Sequence, residues 1–241
     1  MKALTEEAPK CMVLLDGRML LEWQELSLQQ AGVTDIHIVG GYKHEKLPSR
    51  FPKCVNTIWD QTNMVSSLLK ADELLKTHSC IVSYSDIVYT SDHIIKLQEA
   101  QGDICITYDS DWLDLWSLRF ENPLDDAESF RAKNGLLQSI GSKTSSLAEI
   151  QGQYMGLLKF SPKGWEMLQE VVSSLSIVQV RRLDMTSLLS LMLSRNIPIT
   201  AVRVEGKWCE VDSDEDLDLY HSLLKKEWRH NWQSTLEDPI S

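Results

Sequence analysis

The chain has 241 residues, 43% hydrophobic and 24% charged, a balance that supports one large α/β domain or two small ones and excludes a disordered chain. Its net charge of -11 argues against a nucleic-acid partner, because a phosphate backbone needs a basic face. A nucleotide needs only a local positive cluster and backbone N–H donors, so it stays open.

The five cysteines, Cys11, Cys54, Cys80, Cys105 and Cys209, form no Cys-x-x-Cys pair, which argues against zinc and for a reducing compartment. No run approaches the roughly 20 apolar residues of a membrane span, and the N-terminus lacks a signal-peptide core. The reading is of a cytoplasmic chain with no membrane partner.

In chain order, a polar start leads to Pro9-Lys10, the apolar run Cys11 to Leu15 and a turn at Asp16-Gly17. A helix follows from Met19, carrying Leu20, Leu21, Gln24 and Leu28 and stopped by Gly32. Asp35 to Val39 reads as a strand closed by Gly40-Gly41-Tyr42, and Lys53 to Asn56 as a weaker one. Thr62 or Asn63 caps a helix with Met64, Val65, Leu68, Leu69 and Leu75. Cys80-Ile-Val-Ser is β-branched and apolar, reads as a buried strand and leads to Ser85-Asp86. Ser91 to Ala100 is a helix and Asp103 to Thr107 a strand. This alternation predicts a doubly wound, mostly parallel sheet.

Residues 109–143 carry short runs with turn signals, among them Leu118 to Glu121, Glu128 to Arg131 and Leu136 to Ile140. They read as antiparallel strands of a lid, spanning 109–150, within a single domain 1–241. Gly152 to Phe160 is a strand, Ser161-Pro162 opens a helix, and Asp184 caps another to about Asn196. Ile197 to Val204 is a strand, Trp208 to Val211 is extended, and a last helix runs from about Asp214 to Trp228.

Two acidic sites stand out. Asp86 ends a strand, where open α/β sheets bind ligands. The alternative is a turn or helix-cap aspartate. A second cluster, Glu210-Val-Asp212-Ser-Asp-Glu-Asp-Leu217, follows an extended segment and leads into a helix, which favours the functional reading.

The order of these pieces resembles the nucleotidyltransferases that activate small phosphorylated compounds with a nucleoside triphosphate. Three stretches carry it. One is Leu4-Thr5-x-x-x-Pro9-Lys10 with Gly17, the Leu20-Leu21-Glu22-x-Gln24 helix, Ala31-Gly32-Val33 and Ile38-Val39-Gly-Gly-Tyr42. The others are Ser85-Asp86-Ile-Val-Tyr89, and Gly206-Lys-Trp-Cys-Glu-Val-Asp212 with Asp216-Leu217. Tyr108-Asp-Ser-Asp-Trp-Leu-Asp-Leu-Trp116, Asn122-Pro-Leu-x-Asp-Ala-Glu128 and Gly152-Gln-Tyr-Met-Gly156 resemble the cytidylyltransferases for phosphocholine and alkylphosphonates.

The family opens with a strand and a loop of the form L-A-A-G-x-G-x-R, and this chain starts where that loop would end. The resemblance therefore implies a truncated chain. The absent strand would lie within the sheet, leaving two neighbours with unpaired backbone groups. The absent loop would have supplied N–H groups to the triphosphate.

The resemblance implies attack by a phosphate or phosphonate oxygen on the α-phosphorus of CTP, with pyrophosphate leaving. Asp86 and Asp212 would hold Mg²⁺, which favours one or two carboxylates plus phosphate oxygens. Lys10 would contact the transferring phosphoryl group. Gly41, Tyr42, Asn63 and Ser67 would line the nucleotide, although Asn63 also reads as a plain helix cap. For the acceptor, Asp109, Asp111, Trp112 and Trp116 combine carboxylates with aromatic faces that suit an ammonium group. The alternative there is an exposed acidic loop with two packing tryptophans. Lys143 would face an acceptor phosphate. The histidines show no metal spacing. Two other readings stand: a sugar-1-phosphate nucleotidyltransferase, and an inactive relative that only binds a partner. A homo-oligomer is left open.

Overall fold

A computed structural model describes residues 5–223. A hairpin, β1 (Leu14–Leu15) and β2 (Arg18–Met19), turns at Asp16 and Gly17, both in the left-handed region (φ 52° and 80°). Helix α1 (Leu20–Gln30) follows, and Glu22 reaches back to the Met19 N–H. Strands β3 (Ile38–Gly40) and β4 (Lys53–Val55) pair in parallel. The helix expected from Asn63 to Leu75 is broken into α2 (Met64–Leu68) and α3 (Asp72–Thr77), with a 3₁₀ turn between them. Then come β5 (Cys80–Ser83), β6 (Ile87–Tyr89), α4 (Ser91–Glu99) and β7 (Ile104–Asp109). Helix α5 (Trp112–Arg119) precedes the hairpin β8 (Glu128–Lys133) and β9 (Leu136–Lys143). The second half is β10 (Gln153–Phe160), α6 (Pro162–Ser173), α7 (Ile177–Arg182), α8 (Met185–Ser194), β11 (Thr200–Val204), β12 (Trp208–Glu210) and α9 (Asp214–Leu223).

The central sheet has six strands in the order β5-β10-β7-β11-β9-β8, with β6 and β12 forming a separate antiparallel pair. The α/β class with helices on both faces holds, and the alternation of side chains shows how. Ile104, Ile106, Leu158 and Phe160 point into a core with α2, α3, α6 and α8. Cys105 and Leu157 point the other way, into a core with α1, α4, α5 and α9.

Strand pairing is mixed. Within the six-stranded sheet, β7 and β11 run parallel and the other pairs antiparallel. The reason lies in the connection after β7. The chain makes its excursion through residues 112–150 and re-enters where β7 ended, with Gln153 opposite Asp109, so β10 runs back along β7.

Some boundaries differ from the sequence reading. Leu118 lies in helix α5 and not in a strand, and α7 falls in a stretch the sequence left unassigned. The β8–β9 hairpin extends the main sheet through β9 and β11. The last helix reaches Leu223, and its expected continuation to Trp228 lies outside the described residues.

Candidate active site

Asp86 and Asp212 meet because β6 and β12 are antiparallel. Ile87 opposes Glu210, so the residue before one strand lies beside the residues after the other, and the Val211 N–H donates to the Asp86 carbonyl (2.9 Å). Asp86 sits in the turn between β5 and β6. Lys10 enters from a 3₁₀ turn that follows extended Pro9. Its Nζ lies 2.5 Å from Asp86 Oδ2 and 2.6 Å from Asp212 Oδ1. Three residues far apart in sequence thus form one cluster, as the sequence reading requires.

Electrostatics follow from the crowding. Burial alone would lower the Lys10 pKa; the carboxylates of Asp86 and Asp212 outweigh it and raise it. Burial pushes the Asp212 carboxyl up, but hydrogen bonds with Lys10 and Glu210 and the charges of Lys10 and Arg119 leave it below the usual range. Glu210 is pushed well above the ordinary carboxylate value by burial and then by the charges of Asp212 and Asp86.

Glu210, Asp212 and Asp86 offer oxygen atoms that all lie within 4.8 Å of one another. Asp86 Oδ1 is buried with no hydrogen-bond partner among the described residues. An all-oxygen donor set with an unspent buried oxygen fits a hard divalent cation such as Mg²⁺. Glu210 is the addition to the predicted pair. The signal for it was its i, i+2 spacing from Asp212 in an extended segment, which puts both side chains on one face.

Two further members are Arg119, which sequence reasoning missed, and Asp216, which it quoted within a motif without giving it a role. Asp216 accepts from the N–H groups of Asp212 (2.8 Å) and Ser213 (3.1 Å), which fixes the start of α9. Arg119 reaches Asp216, Asp212 and Glu210 from α5.

The residues predicted for the nucleotide gather near the ends of β3 and β4. Gly41 is required by close approach, since a Cβ there would lie 2.6 Å from the Trp59 side chain. Tyr42 packs edge-on to Trp59 and donates to the Glu6 carbonyl. Asn63 caps α2 through the Met64 N–H and donates to the Arg182 carbonyl. Ser67 accepts from buried Asn56, whose backbone N–H bonds the Gly40 carbonyl. Gly41 and Ser67 are thereby tied to the end of the small β3–β4 sheet, whereas Asn63 is tied to the end of α7.

The predicted acceptor pocket at 109–116 does not form. Asp109 is 1% exposed, and its carboxylate accepts from the N–H groups of Asp111 and Gly206 and from Trp208 Nε1. Trp112 and Trp116 are core residues, and Trp116 Nε1 donates to Asp126. Asp111 is exposed and takes a hydrogen bond from neighbouring Ser110. Lys143 lies against the carbonyls of Asp125 and Asp126. The aromatic faces stabilise more by burial than by lining a wet pocket, and the polar groups among them serve the core. Near the cluster, Tyr84 packs edge-on to Tyr154, and burial together with the charges of Asp86, Asp184 and Glu210 raises its pKa.

A CTP:phosphoglutamine cytidylyltransferase of Campylobacter jejuni is 33% identical over 236 residues, covering 90% of this chain and 92% of that protein. The chain belongs to the cytidylyltransferase family of nucleotidyltransferases. A 2-aminoethylphosphonate cytidylyltransferase of Lancefieldella rimae is 30% identical over 102 residues, covering 40% of this chain and 42% of the relative. No family model matches the sequence. Solved structures agree on the family's fold. The inositol-1-phosphate CTP transferase of T. maritima superposes with a TM-score of 0.73 at 14% identity, covering 94% of this chain and 91% of its own. The CTP:phosphocholine cytidylyltransferase of Streptococcus pneumoniae superposes at 0.64 and 16% identity, covering 93% of each chain.

Proposed function

We propose that the chain transfers a cytidylyl group from CTP to a small phosphorylated or phosphonate acceptor in a Mg²⁺-dependent reaction. The observation that carries this reading is the convergence of Lys10 with Asp86, Glu210 and Asp212. An acceptor oxygen attacks the α-phosphorus of CTP, the bond from that phosphorus to the bridging oxygen breaks, and pyrophosphate leaves with the electron pair. Nucleophile and electrophile are both anionic, so the site must hold them in line and offset charge. Asp86, Glu210 and Asp212 would hold the cation, which when bound neutralises phosphate charge. Lys10 supplies an ammonium beside the same position and would swing to a phosphoryl oxygen.

The acceptor class is drawn from the relatives, which act on phosphoglutamine, 2-aminoethylphosphonate and phosphocholine by name.

Pyrophosphate release from CTP with Mg²⁺ tests the reading, using those three acceptors and glucose-1-phosphate. Turnover with one of the amine-bearing acceptors, abolished by Asp86→Asn, by Asp212→Asn and by chelation, is the expected result. Turnover with glucose-1-phosphate alone would overturn the acceptor class, and none with any acceptor or nucleotide would overturn the reaction.

A further inference from the structure

Arg119 is the most completely enclosed charge near the site, its side chain 1% exposed. It lies at the C-terminal end of α5, in the excursion between β7 and β8. The guanidinium lies 5.2 Å from the Trp116 ring centroid and 5.1 Å from that of Phe120. Its fork is spread over one acidic loop. Nε donates to Asp216 Oδ1 (2.9 Å), Nη2 donates to Asp216 Oδ2 (3.1 Å) and Asp212 Oδ2 (3.0 Å), and Nη1 lies 3.5 Å from Glu210 Oε2. A group this enclosed is shut off from substrate.

We infer that Arg119 is a positioning residue: it ties down Asp212 Oδ2 and the start of α9, so that Asp212 Oδ1 and Glu210 stay beside Asp86 as a cation platform once the Lys10 ammonium is displaced. The inference rests on the cation role proposed above for those carboxylates. Asp212 is held through Oδ2 by Arg119, while Oδ1, 2.6 Å from Lys10 Nζ, faces the cluster and is the oxygen a cation would take over from the ammonium, an arrangement that a lone carboxylate on an exposed loop would not keep. The platform is thereby pinned to α5, in the excursion between β7 and β8, and not only to its own strand.

Charge and position act in opposite directions here, which makes the idea testable. An arginine that acted only through charge would repel a cation, so removing it would tighten cation binding. A positioning arginine gives weaker binding when removed, and a lysine cannot replace it, because an ammonium cannot reproduce the fork.

The experiment is a titration of free Mn²⁺, read by electron paramagnetic resonance, on the full chain and on Asp212→Asn, Arg119→Lys and Arg119→Ala. Asp212→Asn identifies the site. Both Arg119 variants are expected to bind Mn²⁺ about 10–100-fold more weakly, the usual cost of losing a group that orients metal ligands. Wild-type affinity in Arg119→Lys, tighter binding in Arg119→Ala, or no Asp212-dependent site in the parent would each overturn the inference. Should the variants fail to fold by circular dichroism, ¹⁵N-arginine spectra of the unaltered chain decide it. Mn²⁺ must broaden the Arg119 Nε–H signal, and an unaffected signal overturns the proposal. Pyrophosphate release is scored separately. A chain that binds Mn²⁺ as described but never turns over CTP loses the proposed reaction while the role of Arg119 stands.

Discussion

Replacing Lys10 with methionine probes the centre of the site. The Lys10 ammonium lies between Asp86 and Asp212, on oxygens of two of the three carboxylates that would hold a cation. A divalent ion must therefore displace it. Lys10 and Asp86 are about four-fifths buried, while Asp212 is 46% exposed, so solvent screens the pairs. Two such pairs are worth roughly 0.5–1 kcal/mol each, or about 1–2 kcal/mol together. Relieved of that competition, Lys10→Met is expected to bind Mn²⁺ about 5–30-fold more tightly than the parent chain. Without a cation the variant is less stable, because carboxylate oxygens within 4.8 Å of one another then repel by roughly 1–3 kcal/mol across the plausible range of effective dielectric. Isothermal titration with Mn²⁺, paired with thermal melting with and without the ion, reads both effects. Mn²⁺ should raise the melting temperature more in Lys10→Met than in the parent. Equal or weaker Mn²⁺ binding in Lys10→Met would refute the claim that the ammonium and the cation share one position. The opposite signs expected for Lys10→Met and Arg119→Lys also separate competition from positioning at a single site.

Other outcomes follow from the packing. Burial, aided by the charges of Lys96 and Lys207, holds the His93 imidazole neutral, with its pKa lowered to about 3. Below about pH 6.5 the unfolded chain takes up a proton that the native chain refuses, so stability falls as pH falls, by roughly 2 kcal/mol between pH 7 and 5. Urea denaturation at both pH values should show this loss, and His93→Leu should flatten it. Asp109→Ala strands the Gly206 N–H and Trp208 Nε1–H and should cost about 2–4 kcal/mol in urea denaturation while leaving acceptor KM unchanged. A large KM effect in stably folded protein would restore Asp109 to the acceptor site. At Gly164 a Cβ would lie 2.1 Å from the Asp103 carbonyl oxygen, against backbone that cannot yield cheaply. Gly164→Ala is therefore expected to lose about 3 kcal/mol or more, and wild-type melting would show that α6 shifts at little cost.

Much of this protein is written locally. The α/β class follows from short β-branched runs such as Cys80 to Ser83 alternating with amphipathic segments such as Ser91 to Glu99, because burying one face sets the period of each element. The Ser161-Pro162 start of α6 and the Asp184 cap of α8 were legible for the same reason, since a cap is satisfied within a few residues. Lys10, Asp86 and Asp212 could be named from their motifs, but not the route by which they meet. That route is the antiparallel pairing of β6 with β12, a contact between segments more than a hundred residues apart that no local pattern encodes. Position 109 is a lesson in the opposite direction. An aspartate among tryptophans reads equally as a binding pocket or as a core, and only the tertiary structure shows its carboxylate spent on Gly206, Trp208 and Asp111. Arg119 carried no sequence signal as a site residue, because its role depends on three carboxylates delivered from the far end of the chain. Local sequence sets which chemical groups are present and most of the elements that carry them. The tertiary structure decided which of those groups share a site, because convergence is a property of long-range packing and not of local spacing.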